Sequence, residues 1–211
     1  MNDFGINTDP PVTIMTLGQV PVMILTNVYR NPDAVRMFAM SQRTWTQGKG
    51  LYPGHFLFTP VTTQFFCPFF SKHMGLRVRP HAEYQFAPFA RIEGGNDFQD
   101  KENTPHIDDF CDYVGVLSLS TTEDIPSSAV CGTSFWRHVP TGAEIAPDSE
   151  SVSQFFTTPD SSWEQTGLVQ HRYNQLVIFS ARAFHRIDLS GAGPRAIRLT
   201  QNFYLITCGE V

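Results

Sequence analysis

The sequence predicts an α+β fold in which N-terminal helices cover one face of a β-sandwich or jelly roll. Two observations lead there. Helix signals cluster before residue 84, and short, β-branched and aromatic runs separated by turn-rich segments fill the remainder. No internal repeat of roughly 20–50 residues breaks this pattern. At 211 residues, the chain is expected to form a single domain spanning 1–211, with a loose arm at 1–15 and a strand-rich core at 84–206.

The elements follow in order. The run VPVMIL at 20–25 reads as a strand. Asn31-Pro32-Asp33 then combines a capping side chain, a proline at the first helical position and an acid in the first turn. Val35, Phe38, Ala39 and Trp45 continue that helix as an apolar stripe. The Pro- and Gly-punctuated segment 52–60 reads as a loop, and Phe65, Phe66, Phe69 and Phe70 as a second short helix. Strands are expected at 84–92, 113–120, 133–139, 176–179 and 195–206. The turn signals EGGND, EDIPSS, TPDSS and SGAGP separate them. The polar stretch 140–165 is long enough to be a lid or a surface excursion.

Composition narrows the function. Hydrophobic residues make up 41% and charged residues 17%, with 18 Phe, so the chain can bury a large aromatic core. The net charge of −5 has no compensating basic block, which argues against nucleic acid or a polybasic membrane patch as partner. The four cysteines lack metal-knuckle spacing and imply no disulfide framework. The N-terminal residues are unlike a signal peptide, and no apolar run approaches the roughly 20 residues of a membrane span. The expected setting is cytoplasmic, with a small-molecule substrate and room for a homodimer.

The segment Thr104-Pro105-His106-Ile107-Asp108-Asp109 carries the most chemistry. In an extended chain, residues i and i+2 share a face, so His106 and Asp108 project side by side. An imidazole and a carboxylate suit iron(II), and a second histidine would complete a facial triad that leaves positions open for substrate and oxygen. His185 fits best, because it follows a buried strand and a short turn. His138 is another candidate for the same cavity, and Asp109 is the alternative carboxylate. In the 195–206 strand, Ile197, Leu199 and Phe203 alternate with Arg198, Thr200, Asn202 and Tyr204. The polar face would line a wet cavity. Arg198 with Thr200 could grip a carboxylate such as the distal one of 2-oxoglutarate, with Arg195 as the alternative.

These pieces stand in a familiar order: PHIDD (105–109), DYVGVLSLS (112–120), CGTSFWRH (131–138), LVIFSARAFHRI (176–187) and GPRAIRLTQNFYL (193–205). Together the chain resembles the 2-oxoglutarate- and iron(II)-dependent oxygenases, within them the prolyl-4-hydroxylase-like branch. TNVYRNPDAVRMFAM (26–40) and YPGH (52–55) are similar to an uncharacterised bacterial group of that branch. The resemblance implies a double-stranded β-helix (jelly roll, cupin-like) with Fe(II) held by His106, Asp108 and His185. It implies 2-oxoglutarate anchored by Arg198 with help from Thr200, and O2 as co-reactant. The spacing usual in the family favours Arg195 as anchor, whereas strand alternation and the R-x-T pattern favour Arg198.

What the resemblance implies is oxidative decarboxylation of 2-oxoglutarate coupled to hydroxylation of a substrate C–H bond. Desaturation or cyclisation is open to the same triad. Asp108 argues against halogenation, since related halogenases replace that carboxylate with a small residue. Candidate substrate contacts are Arg91, Trp136, Arg137 and His138, with Tyr52 and Trp163. They would suit a small carboxylate-bearing molecule such as an amino acid, a peptide or a natural-product intermediate. The competing reading is a non-catalytic jelly-roll or cupin-like binding protein in which the HxD pair is accidental.

Overall fold

Two antiparallel sheets and two helices make up the described part of the chain, residues 5–48, 53–59, 61–82, 85–94, 104–147 and 160–210 of a computed structural model. The strands are β1 (Val12–Leu17), β2 (Val20–Thr26), β3 (Thr46–Gln47), β4 (His55–Leu57), β5 (Leu76–Pro80), β6 (Phe89–Glu93), β7 (Tyr113–Ser118), β8 (Gly132–His138), β9 (Trp163–Gln170), β10 (Gln175–Ser180), β11 (His185–Asp188) and β12 (Ile197–Glu210). The helices are α1 (Pro32–Ser41) and α2 (Cys67–Met74), the latter led in by a 3-10 turn at Thr63–Phe66. The large sheet runs β1-β2-β10-β7-β12-β6-β4-β3, with β5 on the far half of β12. The small sheet runs β11-β8-β9.

Helix α1 starts where the sequence dictates. Asn31 Oδ1 accepts from the Ala34 N–H at 3.2 Å and Pro32 occupies the first helical position. Val35 and Ala39 are buried, but the helix ends at Ser41. Trp45 therefore lies beyond it, with its indole N–H donating to the Gln42 carbonyl at 3.1 Å. In the second helical segment Phe66, Phe69 and Phe70 are buried while Phe65 is exposed.

Strand alternation divides the large sheet into two faces. Leu117, Leu119, Leu176, Ile178, Leu199 and Phe203 join the helical Val35, Ala39, Phe66 and Phe70 in one core, with the Phe66 and Phe203 rings 4.8 Å apart. Each buried Val, Leu, Ile or Phe among them contributes roughly 1.5–3 kcal/mol of transfer free energy. Val114, Val116, Val177, Phe179 and Tyr204 face the other way, onto Phe135 and Val169 of the small sheet. The helices thus cover one face of the large sheet, and the small sheet faces the other.

Several elements differ from the sequence-based expectation. Residues 12–15 of the expected arm belong to β1, which pairs with β2 from Val12↔Leu25 to Leu17↔Val20. Its residues are mostly exposed, so backbone pairing at a sheet edge holds it and no apolar alternation marks it. The core also draws on strands before residue 84, because β2, β4 and β5 join the large sheet. His55–Leu57 forms a three-residue strand inside the expected loop. Tyr84, Tyr52 and residues 148–159 of the polar stretch lie outside the described residues.

The described part of that stretch is fastened down. Glu144 is buried, and its carboxylate accepts from Arg137 at 2.9 and 2.7 Å and from the Gln19 N–H at 2.6 Å. Gly18 lets the β1–β2 turn approach: its φ is +57° and an added Cβ would sit 1.9 Å from Glu144 Oε2. Glu144→Ala is expected to cost about 2 kcal/mol in denaturant titrations, below the full penalty of a broken buried pair because Arg137 is partly solvated. An unchanged midpoint would show that the latch contributes nothing.

Candidate metal centre

The trio His106, Asp108 and His185 is assembled by backbone pairing. His106 and His185 exchange N–H···O bonds of 2.9 Å in each direction, and the Asp108 N–H donates to the Ala181 carbonyl at 2.8 Å. The chain at 106–108 therefore runs extended beside 181–185, and the i, i+2 rule puts His106 and Asp108 on one face. One ligand atom from each residue lies within 4.8 Å of the others, and His185 Nε2 is 3.6 Å from Asp108 Oδ2. Among the described residues no other trio of His, Cys, Asp or Glu converges in this way. Asp109, the alternative carboxylate, is exposed on the following turn.

Both histidines are oriented for ligation. His106 Nδ1 lies 3.0 Å from the Thr104 carbonyl, and His185 Nδ1 lies 2.9 Å from the Ala183 carbonyl. A carbonyl only accepts, so each Nδ1 carries the proton and each Nε2 keeps a free lone pair. Burial pushes the His185 pKa down to about 3, with His106 adding to the depression and the bond to Ala183 opposing it. Burial pushes the Asp108 pKa up, against the pull of His106 and with a further push from Asp109. A dication would offset the burial cost of that carboxylate.

The His185 shift has a consequence for the metal-free protein. Between about 6.5 and about 3 the unfolded chain protonates this residue and the folded chain does not. The unfolded state then binds more protons, so stability falls as pH is lowered through that window, by up to ~1.4 kcal/mol per pH unit. His171, pushed down by its own burial and then by Arg198, adds the same sign. Asp108 opposes it, because its raised pKa favours the fold at low pH and that contribution is lost as pH rises through the folded value. Urea titrations in chelator from pH 6.5 to 5 should show the loss, and His185→Gln should flatten it. A slope that His185→Gln leaves intact would contradict this account.

The trio borders a cavity of about 60 Å³ between the two sheets. Val114, Val116, Arg198, Asn202 and Tyr204 line it from the large sheet, and Thr133, His185, Arg186 and Ile187 from the small one. Arg198 is 2% exposed, and its Nε and Nη1 have no hydrogen-bond partner among the described residues. Cys131 lies beside it: burial pushes that thiol up and the guanidinium pulls it down. Thr200 is fully buried and does not line the cavity; its hydroxyl donates to Asn202 Oδ1 at 3.0 Å, leaving the Asn202 amide donors for the cavity. Arg195 is exposed on the turn before β12. A second cavity, of about 440 Å³ and lined by Asp112, Thr207 and Glu210 among others, contains none of these groups.

The structure does not bring the expected substrate contacts to this cavity. Arg91 pairs with Glu93 at 3.2 Å and lies 4.8 Å over the Trp45 ring. Arg137 is held by Glu144 and, at 3.3 Å, by Glu164. His138 Nδ1 is 2.9 Å from the Thr141 hydroxyl, and its ring packs on Trp163. The Trp136 indole donates to Ser134 Oγ at 2.9 Å and carries the Arg186 guanidinium 4.0 Å above its ring. Arg186 pairs in register with Ser134, and His185 with Phe135, so successive residues of β11 point to opposite faces of the small sheet. Ion pairing and strand parity, neither visible in single residues, account for these differences. Thr133 was missed by sequence reasoning; its signal was a polar residue two before Phe135, on the core-facing side of β8.

No curated protein matches the chain. Among solved structures it is similar to an oxidoreductase of the 2OG-Fe(II) oxygenase family from Burkholderia pseudomallei, at 10% identity and a TM-score of 0.38 over 96% of this chain and 76% of that one. The two share too little for an activity to carry over. A family model described as "Family of unknown function (DUF6445)" matches residues 8–205, nearly the whole chain, and the protein belongs to that family.

Proposed function

We propose that the protein is a non-haem iron(II)- and 2-oxoglutarate-dependent oxygenase built on a double-stranded β-helix. Its reaction would be hydroxylation of a C–H bond in a small carboxylate-bearing molecule such as an amino acid, a peptide or a natural-product intermediate. One observation carries the reading: a buried arginine with unpartnered donors shares a cavity with a two-histidine, one-carboxylate trio. A cation buried without an anion is costly, so a cavity retaining one is suited to an anionic ligand.

The donor set fits the group. Two neutral imidazole Nε2 atoms and one carboxylate suit iron(II) and leave coordination positions open. When bound, iron with 2-oxoglutarate and O2 supplies the oxidising chemistry, which ends in succinate, carbon dioxide and an oxidised substrate. The chain's own contribution is to hold and orient. Arg198 would grip the distal carboxylate, the carbonyls of Thr104 and Ala183 fix the two rings, and Val114, Val116 and Ile187 supply the apolar part of the cavity wall. Neither a nucleic acid nor a membrane enters this proposal.

The test is oxygen-dependent release of succinate from 2-oxoglutarate by the iron-loaded protein, assayed with a panel of amino acids and short peptides. The expected result is release that needs iron(II) and O2 and is lost in Arg198→Leu. Release equal in Arg198→Leu and wild type would sink the assignment of the anchor. Failure to take up iron would favour a non-catalytic binding protein.

A further inference from the structure

We propose that His171 is a positioning residue: it holds the Thr133 hydroxyl as a hydrogen-bond donor toward the anion bound by Arg198. This rests on the metal and 2-oxoglutarate reading above and adds a second, indirectly controlled group to the anion pocket.

Thr133 is buried on β8 and lines the same cavity as Arg198. Its Oγ1 lies 3.0 Å from His171 Nε2. His171 follows the end of β9, tied there by its backbone N–H to the Cys131 carbonyl at 2.7 Å, and it is 8% exposed. Its Nδ1 is buried and has no hydrogen-bond partner among the described residues.

That orphan atom decides the tautomer. Burial, reinforced by the Arg198 charge, keeps the ring neutral, so it carries one proton. A proton on Nδ1 would be a buried N–H with nothing to bond, the rarer and costlier defect. A proton on Nε2 leaves only a bare lone pair at Nδ1 and donates to Thr133 Oγ1. The threonine oxygen is then occupied as an acceptor, and its own proton is free to turn to the cavity. Beside a guanidinium, a further O–H donor suits a carboxylate oxygen and offers little to an uncharged end group.

The inference predicts discrimination between two 2-oxo acids that differ in the far carboxylate. Binding of 2-oxoglutarate and of 2-oxobutyrate to the manganese(II)-loaded protein would be measured by titration calorimetry, which needs no turnover. Thr133→Val and His171→Phe should each weaken 2-oxoglutarate about tenfold and leave 2-oxobutyrate unchanged, whereas Thr133→Ser should stay within about twofold of wild type. If Thr133→Val or His171→Phe binds 2-oxoglutarate as wild type does, or weakens both acids equally, the inference fails. Should His171→Phe not fold, His171→Leu takes its place with the same expected result, and wild-type 2-oxoglutarate binding by Thr133→Val overturns the inference by itself. A wild-type protein that does not prefer 2-oxoglutarate over 2-oxobutyrate would overturn the proposed function itself, and this inference with it.

Discussion

Arg198→Leu is expected to lower 2-oxoglutarate affinity by about 100-fold or more while leaving the ligand-free fold as stable as before, or more so. The two effects share one cause. Arg198 sits in β12 at 2% exposure with two donors unpartnered, and its neighbours Cys131 and His171 offer no negative charge. The Cys131 thiol, which hydrogen-bonds the guanidinium, offsets its desolvation in part, and an anion would offset the rest. Leucine fills much of the same space without that cost, so thermal unfolding without ligand should shift little or upward. Calorimetric titration reads the affinity. Arg195→Ala is the control: that residue is exposed on the turn, and its loss should change neither quantity. A destabilised Arg198→Leu with intact binding would mean that the guanidinium has a structural partner.

Asp108→Ala should lower iron(II) affinity by roughly two orders of magnitude or more, beyond the 10- to 100-fold typical of losing a group that merely orients a ligand. Asp109 cannot replace it, because it points to solvent from the next turn. Since burial already pushes the Asp108 pKa up, removing the carboxylate should leave the metal-free protein at least as stable. Anaerobic equilibrium dialysis measures the affinity. Retention of wild-type affinity would move the metal off this trio.

The comparison of sequence and structure separates what local pattern encodes from what pairing decides. The α1 cap at Asn31-Pro32 was legible because the first helical turn carries its own signals. So was β12, where Leu199 and Phe203 face the helices and Arg198, Asn202 and Tyr204 the cavity, because strand parity is a property of consecutive residues. The convergence of His106, Asp108 and His185 was legible from spacing together with the order of elements. β1 was not, since an exposed edge strand has no buried face to mark it. Nor was the fate of Arg137, because the Glu144 carboxylate that holds it is itself seated by the Gln19 N–H of the distant β1–β2 turn. Thr133 and His171 were missed for a related reason: their relation is a contact between β8 and the end of β9, far apart in the chain.

The most direct test of the central claim, that the trio and Arg198 serve one bound cosubstrate, is the visible charge-transfer absorption of the anaerobic iron(II)–2-oxoglutarate complex. The wild-type protein should develop a weak band on adding 2-oxoglutarate to the iron-loaded form. His185→Ala should show none, and Arg198→Leu should need far more 2-oxoglutarate to reach it. No band in the wild type, or one of equal strength and midpoint in all three proteins, would contradict the account.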